Sequence, residues 1–461
     1  MEAVDLARIQ FAFTAAFHFI FPAVSIGLGL LVAIAEIVRW RTRSEVWDRL
    51  ARFWTKVFAL TFAVGVASGV VMEFQFGTNW SRYSTFVGDI FGSPLAAEAI
   101  FAFFLESTFL GLLLWGRKRI GSGLRMVSAV LVSAGAILSG FWIIVANSWM
   151  QTPAGYEVQG DKAVLTDFVA AVFNPSTIQR FTHTIISAWA VASFLMVGVA
   201  AWYLLKRRHY DVARRSIRLG LVVALIASLG MFLTGDWSSR QVANTQPVKF
   251  AAMQGLFTTT QGAPMIIFAL PPSQEGEANA PSIVVTSLLS WLTHGDTNAT
   301  VEGLNAFPQQ LWPPVAMTFL SYHNMVVLGT LMLLAMLLGV LAWLRGRLES
   351  WRTWLWVAVL VTPAPLIAVE LGWATAEIGR QPWIVYGLMK TADGVSPLVS
   401  TPEVLVSLLG FVGVYFALFA LWLFLVRRTL MAGPDPAPVG VPVESPSLPD
   451  QRQPRPAEVL S

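Results

Sequence analysis

The sequence predicts an all-α integral membrane protein with nine transmembrane helices, and three observations support this fold class. Hydrophobic residues make up 55% of the 461 residues and charged residues only 13%, whereas soluble domains carry about 25% charged residues. Nine apolar runs are each long enough to cross a bilayer, which takes about 20 residues. Basic residues are concentrated in every second connection between these runs, as expected for a chain that crosses a membrane repeatedly.

The apolar runs follow one another along most of the chain. They predict spans at 9–38, 53–76, 94–116, 123–147, 178–205, 216–236, 314–344, 352–373 and 403–426.

The basic residues predict how these spans are oriented. The first, third, fifth and seventh connections, together with the end of the last span, contain 21 of the 31 basic residues. The positive-inside rule therefore places the N-terminus outside and the C-terminus in the cytoplasm, which agrees with an odd number of spans. Because topology explains the sequence pI of about 9.5, no nucleic-acid partner is expected.

The spans divide the chain into four parts. Residues 1–236 contain spans 1 to 6 as two helix-bundle halves, and residues 314–430 contain spans 7 to 9. The outside connection 237–313 is the longest, and loops of that length are usually functional or disordered. Residues 431–461 are Pro-rich and lack an apolar face, which predicts a disordered cytoplasmic tail. The first apolar run is too long for a cleaved signal sequence and is expected to be retained.

The chain has no cysteine and five histidines. The lack of cysteine excludes disulfides, cysteine-ligated iron–sulfur clusters, thiolate haem ligation and covalent c-type haem. Any metal must therefore be held by His, Met or carboxylate side chains.

Several polar side chains fall within the spans at a similar depth. The predicted topology places all of them in the outer half of the bilayer, except Glu106, which reaches toward the middle: His18, Glu98, Glu106, His183, Met325 and Glu377. Each has an ordinary structural explanation, such as a histidine bonded to a backbone carbonyl, a core methionine or a protonated carboxyl group. Together they form a plausible ligand set for haem, since His with Met suits an electron-transfer haem and a lone His or carboxylate leaves a position open for oxygen.

The stretch GWATAEIGRQPW, residues 372–383, closes the eighth run. One interpretation is an interfacial belt in which Glu377 pairs with Arg380 and tryptophans such as Trp373 anchor the helix. The other is a functional site, because ionisable groups are costly at this depth. His209 and His294 lie in connections and are expected to be solvated, whereas His323 points about 200° around the helix from Met325.

Five long motifs follow one another along the chain: GTNWSRYSTFVGDIFGSPLAAEAIFAFFLESTFLGL (77–112), NSWMQTPAG (147–155), NPSTIQRFTHT (174–184), QPVKFAAMQ (246–254) and GWATAEIGRQPW (372–383). In this order they resemble the cytochrome bd-type quinol oxidase family, subunit I, and the resemblance runs from Asp5 to about Arg428. The loop between spans 6 and 7 resembles that of the short-quinol-loop subgroup, which includes cyanide-insensitive members.

The resemblance implies three haems and a quinol site. His183 and Met325 match the ligands of a low-spin haem b. His18 and Glu377 match axial ligands of two high-spin haems, one haem b and one that is haem d or a second haem b. The remaining matches are Glu98 and Trp373 at the haem pocket, Arg380 as a counter-charge, Glu106 on a proton path, and Lys249 and Gln254 in the quinol loop.

The implied function is a terminal oxidase in the bacterial cytoplasmic membrane. It oxidises membrane quinol at the outer face and reduces O2 to water with cytoplasmic protons, which generates proton motive force without a pump. A haem-free subunit II is the implied partner, with small single-span accessory subunits as further candidates. The alternatives are a haem-free structural subunit and a proton-coupled transporter that uses Glu98 and Glu106, although the inverted repeats expected of a transporter are not seen.

Two positions depart from the family pattern. Gln254 stands where a glutamate is usual, and an amide accepts a hydrogen bond but is a poor proton acceptor. His323 stands where an arginine is usual, and a neutral histidine would balance a haem propionate less well.

Overall fold

The computed structural model describes residues 2–116, 119–268 and 283–436. Within these ranges, nine helical segments are long and apolar enough to cross a membrane, which confirms the predicted number. They are Ala3–Thr42, Glu45–Thr78, Ser81–Trp115, Ser122–Gln151, Thr177–Leu205, Tyr210–Thr245, Val315–Leu344, Arg352–Ile378 and Thr401–Ala432.

Two of the spans are built from two α-helices each, and three short α-helices lie in the connections, so the described residues contain fourteen α-helices. We number them α1 (Ala3–Thr42), α2 (Glu45–Thr78), α3 (Ser81–Ala97), α4 (Phe104–Trp115), α5 (Ser122–Gln151), α6 (Phe168–Val172), α7 (Thr177–Leu205), α8 (Tyr210–Thr245), α9 (Pro247–Gln254), α10 (Leu288–His294), α11 (Val315–Leu344), α12 (Arg352–Leu360), α13 (Ala364–Ile378) and α14 (Thr401–Ala432).

The third span changes its helical register midway. A π-helix, Glu98–Phe103, joins α3 to α4. In a regular α-helix, residues eight apart differ by about 80° around the axis. The extra residue in a π-turn removes about one 100° step, and this brings Glu98 and Glu106 close to the same face.

The eighth span is broken between α12 and α13. Pro363 and Pro365 lie at the start of α13. A proline has no N–H to donate and clashes with the carbonyl four residues before it, so the helix ends and restarts here. The second half then carries the GWATAEIGRQPW stretch to the end of the span opposite the basic connections.

Short antiparallel ribbons and 3₁₀ turns occupy the connections opposite the basic ones. The strands are β1 (Tyr156–Gln159), β2 (Lys162–Leu165), β3 (Thr260–Gln261), β4 (Met265–Phe268), β5 (Ile283–Val285), β6 (Thr300–Val301), β7 (Trp383–Val385) and β8 (Met389–Lys390). They pair as β1–β2, β3–β6, β4–β5 and β7–β8.

The helices α1 and α7 form the centre of the bundle, where the largest apolar cluster lies. In the most apolar 18-residue stretch of each helix, 72% of the residues are buried. Gly27 permits their close approach. A Cβ added at Gly27 would lie 2.1 Å from the carbonyl oxygen of Ala188 and 2.5 Å from the Cβ of Ala192. Only a residue without a side chain fits this crossing.

Contacts between the basic connections place them on one side of the bundle, as the charge pattern predicts. Arg39 in the first connection donates to Ser122 in the third, at 2.9 Å. Arg49 pairs with Asp211 in the fifth connection. Arg218 pairs with Glu349 in the seventh at 2.6 Å.

Two boundary details differ from the sequence-based expectations. The helix α8 continues to Thr245, past the predicted end of span 6, so the outer connection begins later. Asp435, in the predicted tail, is 3.1 Å from Lys56 and thus fixed to the first connection. The rest of the tail, from residue 437, lies outside the described residues.

The prediction that His209 is solvated is wrong, whereas His294 is exposed as expected. The His209 ring packs 5.2 Å from that of Tyr203. Its Nε2 atom is buried without a partner in the described chain, and a Cβ on Gly433 would lie 2.2 Å from it. Burial, assisted by the charge of Arg208, lowers the pKa of His209. Tertiary packing by the end of α14, which local sequence does not encode, covers this ring.

Gly27→Ala should destabilise the protein by about 1–3 kcal/mol, because the added methyl group overpacks the α1–α7 crossing. The measurement is the midpoint of thermal unfolding in one detergent. Gly88→Ala in α3 is the matched control, since no atom lies within 4 Å of the added Cβ, and the gain in helix propensity should stabilise it by about 0.5–1 kcal/mol. Equal midpoints for the two variants would contradict the packing account.

Candidate functional site

Glu377, at the end of α13, is the centre of a polar cluster. Its Oε2 atom pairs with Arg380. Its Oε1 atom accepts hydrogen bonds from Asn147 at 3.2 Å and from Gln151 at 3.3 Å, both on α5. The Glu377 side chain is 34% exposed while that of Arg380 is only 4% exposed, so the carboxylate borders open space beside buried neighbours.

Two more cationic side chains act on Glu377. Arg180 on α7 donates to Asn147 and lies 5.7 Å from the ring centre of Trp373. Lys249 on α9 is buried and donates to Gln151 at 3.1 Å and to the carbonyl of Ala376 at 2.9 Å. Burial, with the nearby charge of Arg180, lowers the pKa of Lys249 well below its ordinary value.

Both arginines keep unused donors in this cluster. Arg180 Nε and Arg380 Nη1 are buried and have no hydrogen-bond partner within the described residues. An unpaired buried donor is costly. A carboxylate-bearing ligand would satisfy both donors, and guanidinium groups suit carboxylates geometrically.

Trp373 links the cluster to the first span. Its ring stacks on that of Phe19 at 4.1 Å between centroids. Phe19 follows His18 in the chain, so the contact brings α1 beside the α13 end that carries Glu377.

Ser68 on α2 contacts the imidazole ring of His18. His18 Nδ1 lies 3.0 Å from Ser68 Oγ, and this hydroxyl also lies 2.9 Å from the carbonyl of Val64. A hydroxyl has one proton, and we assign it to the bond with this carbonyl. With that assignment the His18 Nδ1–H donates to Ser68, and Nε2 keeps the lone pair that a metal requires.

His183 on α7 repeats this arrangement. Its Nδ1 lies 2.9 Å from Thr234 Oγ1 on α8, and Thr234 donates to the carbonyl of Gly230 at 2.8 Å. Nε2 of His183 is again the nitrogen with a free lone pair. His183 is one helical turn from Arg180, so it adjoins the Glu377 cluster along α7.

A glycine lies beside each of the two histidines and beside Met325, so no neighbouring side chain crowds them at these positions. Added Cβ atoms would lie 3.1 Å from His18 Cε1 at Gly69, 3.6 Å from His183 Cε1 at Gly235, and 3.1 Å from Met325 Sδ at Gly372. All three candidate ligands are half-buried. No group of three His, Asp or Glu side chains suited to a bare metal ion occurs among the described residues. Axial ligands with small neighbours fit a haem better.

The carboxylates of the third span form a row. Ser139 on α5 donates to Glu98 at 2.7 Å. Glu98 is close enough to interact electrostatically with both Glu106, which is buried, and Glu73 on α2. The third span therefore places two carboxylates near each other and near a third on α2.

The outer connection covers one side of the Glu377 cluster. Gln254, at the end of α9, is buried; its Oε1 is unpartnered in the described chain, and its side chain bonds to Tyr322. A cavity of about 140 Å³ lies between this connection and the turn after α13. It is lined mainly by Val248, Lys249, Arg380, Gln381, Trp383 and Tyr386.

His323 contacts the backbone of two segments. Its Nε2 lies 3.0 Å from the carbonyl of Ile266 in β4, and its Nδ1 lies 3.0 Å from the carbonyl of Phe319. The ring thus attaches α11 to the outer connection.

The structure brings Glu377, Arg380, Trp373 and Lys249 together and places Phe19, beside His18, against them. Met325 lies against Gly372, next to Trp373 on α13, whereas Glu98 and Glu106 contact α5. Sequence reasoning missed functional roles for Asn147, Gln151, Arg180, Ser68 and Thr234. Asn147 and Gln151 lie in the motif NSWMQTPAG, which could have pointed to them. The sequence also shows a hydroxyl residue before a glycine at 68–69 and 234–235, but it does not show which histidine each hydroxyl contacts.

The described residues combine nine helices that can cross a membrane with histidines whose Nε2 atoms are available to a metal. These are features of a multi-pass membrane oxidoreductase with haem cofactors. Comparison with known proteins supports this class. The model of the family described as cytochrome bd terminal oxidase subunit I matches residues 6–434. The chain therefore belongs to the cytochrome bd terminal oxidase subunit I family. It has the terminal oxidase role of that family, as a quinol oxidase subunit in a bacterial membrane.

Three known proteins illustrate the similarity. The chain is 39% identical to the cytochrome bd ubiquinol oxidase subunit 1 of Bacillus subtilis, over 94% of this chain and 95% of that protein. It is 35% identical to the cytochrome bd-II ubiquinol oxidase subunit 1 of Escherichia coli, over 94% and 97%. The solved bd oxidase from Geobacillus thermodenitrificans is 30% identical with a TM-score of 0.87, over 94% of this chain and 99% of that one.

The lowered pKa of Lys249 predicts a pH-dependent stability. The unfolded chain binds this proton more tightly than the folded protein, so stability should rise with pH between the lowered folded pKa and the ordinary value of 10.5. The slope is at most about 1.4 kcal/mol per pH unit. Thermal unfolding of wild type and Lys249→Met from pH 7 upward measures it.

Wild type should gain stability relative to Lys249→Met as the pH rises. Lys162→Met, which removes an exposed lysine, serves as the control and should show no such trend. A constant difference between wild type and Lys249→Met would mean that Lys249 titrates normally.

Proposed function

We propose that membrane quinol is oxidised at the outer face of this chain and that O2 is reduced to water with protons taken from the cytoplasm. Charge is then separated across the membrane without a pump. The observation that carries this proposal is the pair of histidines whose Nδ1 atoms are held by Ser68 and Thr234, each followed by a glycine.

We assign the haem ligands to these two histidines, Met325 and Glu377. His183 and Met325 would hold a low-spin haem b, while His18 and Glu377 would hold two high-spin haems, one of them haem b and the other haem d or a second haem b. Bound haem supplies one-electron transfer and, at an open position, oxygen chemistry.

The surrounding residues orient and balance these groups. The free donors of Arg180 and Arg380 suit propionates. Trp373 contacts both Phe19 and Arg180, and together with Glu98 it would line the haem pocket.

Quinol would bind beside α9. Lys249 borders the cavity and can donate to a quinol oxygen, while the free Oε1 of buried Gln254 can accept from a quinol hydroxyl. An amide at this position orients quinol without taking its proton. The proton released would then leave through the outer-side cavity or bulk water.

Protons from the cytoplasm would reach the oxygen site through Glu106 and then Glu98. The π-helix supports this route, since it turns both carboxylates toward one face. The hydroxyl of Ser139 holds Glu98 at the outer end of the row.

The orientation and the assembly complete the proposal. The N-terminus lies outside and the C-terminus in the cytoplasm. The helical parts are 1–236 and 314–430, the external quinol loop is 237–313, and the tail is 431–461. A haem-free subunit II is the partner, together with small accessory subunits. Membership in the oxidase family argues against the transporter alternative.

A reduced-minus-oxidised optical spectrum of the purified protein tests the function. Bands of low-spin and high-spin haem are expected, and a far-red chlorin band would identify haem d. A spectrum with no haem bands would overturn the proposal and leave a transporter or a structural subunit.

Met325→Leu should remove the low-spin haem signal and leave the high-spin signals, because leucine keeps the volume but has no sulfur ligand. The measurement is the same difference spectrum. Met336→Leu is the matched control, since Met336 is a fully buried methionine on the same helix, and it should retain every band. Loss of no signal in Met325→Leu would refute its ligand role.

A further inference from the structure

Gln151, the last residue of α5, contacts both the lysine of the candidate quinol site and the carboxylate of the candidate haem site. Its Oε1 accepts from Lys249 Nζ at 3.1 Å, on the side of the outer connection. Its Nε2 donates to Glu377 Oε1 at 3.3 Å, on the side of the candidate iron ligand. One amide therefore separates a candidate quinol-site cation from a candidate haem ligand.

The amide has no freedom to flip. Oε1 accepts a second hydrogen bond, from Gln246 Nε2 at 3.1 Å, and Nε2 donates a second one, to the carbonyl of Ala376 at 3.2 Å. An amide offers two acceptor sites and two donors, and all four are used. Reversing the group would set two donors against the donors of Lys249 and Gln246, which buried groups do not tolerate.

The position of Gln151 is also fixed by the backbone. Gln246 donates to the carbonyl of Gln151 at 2.6 Å, just before α9 begins. Gln151 is only 2% exposed. Its two sides thus connect α9, which carries the quinol-loop lysine, to the end of α13, which carries Glu377.

We propose that Gln151 is a positioning residue that couples the quinol-side lysine to the carboxylate of Glu377. It holds Lys249 Nζ at the cavity with its remaining hydrogen-bonding position toward the quinol. It also holds Glu377 Oε1, so that a change in the contacts of Lys249 alters the hydrogen bonding of Glu377. This role rests on the proposed function, in which Lys249 binds quinol and Glu377 ligates a high-spin haem.

The test separates the two sides of the amide in the assembled oxidase. Gln151→Glu keeps two acceptor oxygens for Lys249 but removes the donor to Glu377. The KM for quinol should stay within about threefold of wild type. The midpoint potential of the high-spin haem that Glu377 would hold should shift. Gln151→Leu removes both the acceptor for Lys249 and the donor to Glu377. The potential of the same high-spin haem should therefore shift, and the KM for quinol should rise about tenfold, which is the effect of losing a charge-assisted hydrogen bond.

A double substitution tests the coupling itself. Lys249→Met should shift the potential of the high-spin haem in the wild-type background but have no further effect when combined with Gln151→Leu. In every variant the low-spin haem should keep its wild-type potential, which a general loss of structure would not allow. Gln241→Leu is the control, since Gln241 is a buried glutamine that bonds to Thr245 on its own helix.

The outcomes distinguish this inference from the proposed function. Wild-type protein without haem bands would overturn both. Wild-type protein with haem, but with Gln151 variants that match Gln241→Leu in potential and KM, would overturn only the role of Gln151. Additive effects of Lys249→Met and Gln151→Leu on the potential would overturn the coupling. If Gln151→Leu does not assemble, Gln151→Glu alone decides, because an unshifted potential contradicts the proposal.

Discussion

The arrangement of the outer half depends on one interaction, the compensation of the Glu377 carboxylate by cationic side chains inside a membrane protein. Isolated charges are costly there, and a buried ion pair is tolerated only when its remaining donors and acceptors are satisfied. Arg380 follows on the next turn, Arg180 comes from α7 and Lys249 from α9. With the two amides of α5, the cluster draws four segments to one point. The arginine donors left unpaired indicate that the cluster is complete only with an anionic group bound.

The two histidines depend on a simpler arrangement. A hydroxyl that donates to its own helix backbone can only accept from the imidazole, and this leaves one ring nitrogen for a metal. The glycine that follows each hydroxyl residue leaves the edge of the ring uncrowded. Because α2 supplies Ser68 and α8 supplies Thr234, the packing of α1 on α2 and of α7 on α8 sets the direction of both candidate ligands before any cofactor binds.

Sequence reasoning predicted the parts of the molecule that depend on composition and order. Hydropathy located nine spans, and the alternation of basic residues grouped the connections that the Arg49–Asp211 and Arg218–Glu349 pairs later joined. It did not predict the partners of Glu377 on other helices, because residues 226 or 230 positions away leave no local pattern. The π-helix was also missed, since its residues are as apolar as those of the neighbouring α-helix. The covering of His209 by Gly433 was missed because only the packed fold brings them together.

The π-helix sets how the two carboxylates of the third span relate to each other in the proposed proton path. Ion pairs such as Arg39 with Glu36 at 2.6 Å and Arg125 with Glu36 at 3.0 Å lie at the ends of the spans next to the basic connections. Glu106 is a buried carboxylate of the third span, and the proposed path leads through it to Glu98. In a regular helix it would face about 80° away from Glu98. The extra residue of the π-turn costs helical hydrogen-bond geometry but aligns the two carboxylates, and such insertions are frequent where function requires a side chain to be redirected.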